Sequence, residues 1–251
     1  MEKPLLEVRD IFRSYFEDGR EFKVLERIRM ELSAHDFVCI VGPSGCGKST
    51  LLRIIVGLDK PNSGEVLFSG QPLRPENPQV AMVFQSFALF PWLTVEQNVE
   101  LGLEALGMPQ EARRARAQKY VDVVGLTGFE NAYPRELSGG MKQRVGIARA
   151  LALEPLLLCM DEPFSSLDAL TAQSLRDEIL QLWVDPNLPP EAVLMVTHNI
   201  EEAVYLADRI IVLSGRPGRI VAELEVDLPR PRNRKEPEFG GWVDEIYALI
   251  V

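Results

Sequence analysis

Residues 42–50 read "GPSGCGKST" and fit the spacing G-x-x-x-x-G-K-[ST]. This stretch does chemistry in one context only: a buried strand must run into it and a helix must leave it. Both are present. "FVCIV" ahead of it is a short continuous apolar run, the pattern of a strand covered on both faces. "KSTLLRIIVG" behind it has helical periodicity. Gly42, Gly45 and Gly47, with Pro43, Ser44 and Cys46 between them, let the backbone aim its N–H groups inward at an anion. The following helix adds its positive N-terminal end. Lys48 is then expected to reach the β- and γ-phosphates of a nucleotide, Ser49 to ligate Mg²⁺, and Thr50 to help bind phosphate.

A strand that ends in such a loop implies an α/β sheet. Further continuous apolar runs, "QVAMVF", "PLLLCMD", "AVLMVTH" and "RIIVLS", suit its central parallel strands. The first seventy residues differ. "LLEVRDIF", "KVLERIRMEL" and "GEVLFSG" alternate apolar and polar residues, as half-buried antiparallel strands do, and "RIVAELEVDL" alternates again near the end. Residues 94–153 read as almost wholly helical, opening on a capping-box pair, Thr94 and Gln97. Asn199 and Glu202 make another such pair. The expected fold is an α/β nucleotide-binding core with an N-terminal antiparallel β-subdomain and an inserted α-helical subdomain at about 94–153. "PRPRNRKEPEFGGW", rich in proline and charge, is expected to be weakly structured.

The chain has 251 residues and a net charge of −10, which argues against a polynucleotide-backbone binder. Cys39 and Cys159 lie in apolar runs, no C-x-x-C spacing occurs, and only two histidines are present. Buried thiols are therefore expected, rather than disulfides or a histidine metal centre. No apolar run approaches the roughly 20 residues that span a bilayer. The chain is expected to be soluble by itself, so work at a membrane requires another polypeptide.

"LLLCMDEP", residues 156–163, supplies the partner of the phosphate loop. An apolar strand ends in Asp161 and Glu162, where parallel sheets place ligands. Asp161 is expected to hold Mg²⁺ through water, and Glu162 to polarise the water that attacks the γ-phosphate. "ELSGGM" then needs explanation. Ser138, Gly139 and Gly140 precede a helix, which a turn and a cap alone would account for. The helix N-terminus also welcomes an anion, and two copies of the chain could each close the other's nucleotide site.

Taken together, these motifs closely resemble the ATP-binding subunit of an ATP-binding-cassette (ABC) transporter, over almost the whole chain. "GPSGCGKST", "LSGGM" and "LLLCMDEP" occur in family order, with Gln85 in "VFQ", the D-loop "SSLD" and a switch histidine, His198, in "VTHN". The resemblance implies a P-loop NTPase (RecA-like) core, residues 1–230 as the ATPase domain, a C-terminal tail at 231–251, and ATP and Mg²⁺ as cofactors. It implies that Tyr15, with Phe16 as the alternative, stacks on adenine, and that Gln85 touches Mg²⁺ or the attacking water. Ser138, Gly139 and Gly140 would bind the other subunit's γ-phosphate, Asp168 would lie across the dimer interface, and His198 would contact the γ-phosphate.

The implied partners are a second copy of the chain, membrane permease subunits and, indirectly, an extracytoplasmic substrate-binding protein, with no nucleic acid. The implied location is the cytoplasmic face of the membrane. Ser166 and Asn199 stand where alanine and aspartate are common, and Met141 where glutamine is frequent. "VLSGRPGRIVAELEVDLPRPR" resembles a subgroup that imports nitrate, sulfonates, taurine and related anions. The apolar end, "VDEIYALIV", is expected to be the start of a further segment. Two other classes compete: an ABC ATPase acting on DNA or ribosomes, and a P-loop kinase. The kinase would leave the signature, D-loop and histidine unexplained.

Overall fold

The structure is a computed structural model and describes residues 3–250. In chain order its strands are β1 (Leu6–Glu17), β2 (Arg20–Leu32), β3 (Phe37–Val41), β4 (Ser63–Phe68), β5 (Gln71–Pro72), β6 (Val80–Val83), β7 (Leu157–Asp161), β8 (Ala192–Val196), β9 (Arg209–Leu213) and β10 (Ile220–Glu225). Its helices are α1 (Lys48–Ile55), α2 (Val95–Ala105), α3 (Gln110–Val123), α4 (Gly139–Leu151), α5 (Ala169–Val184), α6 (Ile200–Leu206) and α7 (Pro237–Ile250). They fall into two compact units. One runs to Asn77 and resumes at Ala192; the other is Pro78–Glu191.

In the first unit β2, β1, β4 and β5 pair antiparallel in that order. The alternation seen in the sequence becomes an inner face, with Leu6, Val8, Ile28, Met30 and Leu32 buried. The β1–β2 register shifts between Val8 and Ser14, and Asp10 at the first irregularity has φ 49°. Such bulges bend and twist a ribbon. The other strands of this unit pair in the order β10, β9, β3, β8. β3 is parallel to both neighbours, and β10 is antiparallel to β9. β3 and β8 are buried at every position, which is why each reads as an unbroken apolar run.

The end of the chain departs from expectation. "PRPRNRKEPEFGGW" is ordered. The Arg230 guanidinium donates to an Asp208 carboxylate oxygen and to the Leu206 carbonyl, both at 2.5 Å. Arg232 is buried and donates to the carbonyls of Val204 (2.6 Å), Ala207 (2.5 Å), Val226 (3.2 Å) and Leu228 (3.0 Å). Burial lowers its pKa to about 10. Several of these acceptors are the last carbonyls of α6, which a helix leaves without internal partners. The tail is therefore anchored by cations at a helix C-terminus, an arrangement that composition does not reveal. α7 follows and buries Phe239 and Ile246. Val251 lies outside the described residues.

In the second unit β6 and β7 pair in parallel, and α2 to α5 surround them in sequence. Thr94 and Gln97 form the capping box expected of them. The fully buried Tyr120 donates its hydroxyl to Glu154 at 3.2 Å. The thiols of Cys39, Cys46 and Cys159 are free and buried. Among the described residues no helix is long and apolar enough to cross a membrane.

Candidate functional site

In the first unit the phosphate loop leaves the end of β3. α1 then begins at Lys48 with Gly47 as its N-cap, in the left-handed region at φ 106° and with no side-chain cap. α1 and α3 have no side-chain cap, whereas α2, α4, α5 and α6 do; a helix start without one offers its first amides to an anion. Ser49 and Thr50 sit in this first turn. The Lys48 side chain is buried, and its ammonium donates to the carbonyls of Gly42 (2.9 Å) and Pro43 (3.1 Å). Incoming phosphate oxygens would replace these two acceptors with charged ones.

β8 is the parallel neighbour of β3, with Ile40 opposite Val196, so His198 emerges from the same edge as the loop. Residues on either side hold it. The Thr197 hydroxyl is buried and donates to Glu202 at 2.7 Å; the Thr197 oxygen also accepts from the Asn199 N–H at 3.1 Å. Asn199 caps α6 by accepting from the Glu202 N–H. The expected Asn199–Glu202 capping box is half formed: Asn199 caps α6, but its own N–H donates to Thr197, and the sequence did not reveal the Thr197–Glu202 pair. Its signal is a hydroxyl at the end of an apolar strand, five residues before a carboxylate.

On the β1–β2 ribbon Tyr15 is 40% exposed and Phe16 73%. The Tyr15 hydroxyl donates to Asp59 at 2.7 Å, and the Arg13 guanidinium lies 4.3 Å from the ring centroid while donating to the same carboxylate at 2.8 Å. One ring face of Tyr15 is thus backed by a cation. His35 is a turn residue with φ 66°.

In the second unit β6 and β7 lie in register at Val83 and Met160, so Gln85 and Glu162 leave the same edge. The Gln85 amide nitrogen donates to Glu162 (3.3 Å) and to the Ser165 hydroxyl (3.1 Å). Asp161 is buried at the end of β7, and Glu162 has φ 43°, rare for a residue with a side chain. Among the described residues no three His, Cys, Asp or Glu side chains cluster as a metal site. Ser49, Gln85 and Asp161 nevertheless carry hydroxyl, amide and carboxylate oxygens, the hard donors that suit Mg²⁺.

Ser138 caps α4, accepting from the Met141 N–H at 3.3 Å. A Cβ at Gly140 would lie 2.4 Å from the Thr171 methyl, so this glycine also has a packing reason within its own unit. Asp168 caps α5 through the Leu170 and Thr171 amides at 3.2 and 3.1 Å, and the Thr171 hydroxyl above all holds its pKa down. The segment after Gln85 is pinned from two sides. Asn98, fully buried, bonds Phe90 N–H (2.8 Å) and the carbonyls of Phe90, Leu93 and Thr94. Arg149 donates to the carbonyls of Ala88 (2.6 Å) and Phe87 (3.0 Å). Phe90 and Trp92 meet edge to face at 5.5 Å, and Trp92 is 69% exposed.

A phosphate loop opening an uncapped helix beside a parallel strand, with an Asp-Glu pair ending a second buried strand, defines a P-loop nucleotide-binding fold. The ABC transporter family model matches residues 25–165, and the chain belongs to this family. It is 47% identical to the nitrate import ATP-binding protein NrtD of Synechocystis sp. over 254 aligned residues, covering 98% of this chain and 94% of that protein. It is 41% identical to the aliphatic sulfonates import ATP-binding protein SsuB of Bacillus cereus, covering 91% and 89%. A solved dimeric ATP-binding cassette, in a post-hydrolysis state bound to ADP and Pi, superposes with a TM-score of 0.78 at 33% identity. It covers 89% of this chain and all of that one.

Proposed function

We propose that this chain binds and hydrolyses ATP to power a membrane importer of small anions of the nitrate or sulfonate type, acting as a head-to-tail dimer on permease subunits at the cytoplasmic face. The observation that carries the reading is the complete set of ABC motifs, placed on strand ends and helix starts, in a chain 47% identical to a nitrate import ATP-binding protein. Residues 1–230 form the ATPase domain, with the helical insertion at about 94–153, and 231–251 its tail.

The amides of the loop from Gly42 to Thr50 take the phosphates, Lys48 moves from carbonyls onto the β- and γ-phosphate oxygens, and Tyr15 stacks on adenine. Ser49, Gln85 and Asp161 would hold Mg²⁺, which when bound neutralises charge on the β- and γ-phosphate oxygens. Glu162 orients and polarises a water in line with the γ-phosphorus. The water oxygen forms the new bond as the bond to the β–γ bridging oxygen breaks, and ADP leaves. Gln85, which already touches Glu162, positions that water. His198 donates to the γ-phosphate as charge builds there. The second copy supplies Ser138, Gly139 and Gly140 to the γ-phosphate, with Asp168 at the interface.

Nitrate or alkanesulfonate uptake into vesicles carrying this chain, a permease and its binding protein tests the proposal. Uptake is expected to require ATP and to stop with Glu162→Gln. ATP-independent uptake, or none of either anion, would overturn it.

A further inference from the structure

We infer that the β9–β10 loop, Ser214–Arg219, is a built seat for the phosphate loop, and that Gly218 is a positioning residue for the phosphate-binding amides. The inference rests on the reading of residues 42–50 as the ATP site. A Cβ on Gly218 would lie 2.3 Å from the Cys46 carbonyl oxygen, 3.4 Å from the Cys46 carbonyl carbon and 3.4 Å from Leu25 Cδ2. The first contact is with backbone, so a side chain here can be admitted only if the phosphate loop itself moves. The two ends of that loop meet the same strand and its exit. A Cβ on Gly42 would lie 2.8 Å from the Leu213 carbonyl oxygen, the last residue of β9.

The seat is fixed from both sides. Gly218 N–H donates to the Val24 carbonyl (2.8 Å), and its carbonyl accepts from Glu26 N–H (3.0 Å), so it is stitched to β2. The Arg216 guanidinium donates to the Lys23 carbonyl (3.2 Å) and lies over the Phe22 ring at 5.5 Å. Arg219 pairs with Glu26 at 2.6 Å. Within the loop the Ser214 hydroxyl donates to the Pro217 carbonyl (3.1 Å) and accepts from Arg219 N–H (3.0 Å). A backbone held this firmly does not yield to an added methyl; the Cys46–Gly47 peptide does, and with it the N–H groups that face the phosphates. Gly215, in the same loop, has nothing within 4 Å of a Cβ and serves as the matched control.

ADP is the probe, because it reports phosphate-loop binding without hydrolysis. Calorimetry should show Gly218→Ala weakening ADP roughly tenfold, equivalent to about 1.4 kcal/mol. Gly215→Ala should bind as the wild type does. A purely structural role would lower the melting temperature of the ADP-free protein and leave ADP affinity of the folded protein alone. Gly218→Ala affinity within twofold of wild type therefore overturns the inference. If Gly218→Ala does not fold, Ser214→Ala decides. It loosens the seat without adding volume, and a rise of a few-fold in Kd supports the inference while an unchanged Kd overturns it. Failure of the wild type to bind ADP would instead remove the ATP-site reading on which the inference stands.

Discussion

Lys48 is a buried cation with backbone carbonyls around its ammonium. Neutral acceptors make a tolerable resting state, since a buried charge without partners is costly. Phosphate oxygens make a better one, because charge-assisted contacts are about twice as strong as neutral ones. Lys48→Ala removes a contact worth roughly 1.5–3 kcal/mol, so ATP affinity should fall at least about tenfold by calorimetry. Unchanged affinity would count against the loop as the phosphate site. Lys48 and Glu162 were legible as candidates because the motifs that single them out are written in local spacing. Asn98 and Arg149 were not: Asn98 reaches back four to eight residues and Arg149 about sixty, and each reads in sequence as an ordinary helical polar residue. Ser138 was legible as a cap, and the cap is what the hydrogen bonds of one copy contain.

Among the elements, the strands were the easiest to read, because a fully buried strand has no polar position to confuse the pattern. The tail was misread for the opposite reason. Proline and charge suggest disorder, but Arg230 and Arg232 find carbonyl acceptors at the end of α6 that no local pattern shows. The segment from Phe87 to Thr94 is a third kind of element: irregular, held by Asn98 and Arg149, and apolar at its surface. A pinned loop presenting Phe90 and Trp92 suits the reception of a partner's helix. Trp92→Asp should abolish permease stimulation of ATP hydrolysis and leave ATP affinity within about twofold, since a surface change away from the phosphates disturbs little. Equal loss of both in folded protein would contradict a docking role for the aromatic pair.

For the molecule as a whole, the first unit holds the phosphate loop, Tyr15 and His198, and the second holds Gln85, Asp161, Glu162 and the Ser138-Gly139-Gly140 turn. If two copies complete each other's sites, ATP becomes part of their interface, and dimerisation depends on it. Glu162→Gln keeps the size of the side chain and removes the anion that polarises water. It should bind ATP, nearly cease hydrolysis and hold the closed dimer. Ser138→Arg in that background places a long side chain where the other copy's γ-phosphate must lie, and should keep the copies apart. The deciding measurement is sedimentation velocity of Glu162→Gln with Mg-ATP, with and without Ser138→Arg. A dimer that forms only with ATP and is lost with Ser138→Arg is the predicted result; identical sedimentation of the two variants with Mg-ATP would contradict the shared site.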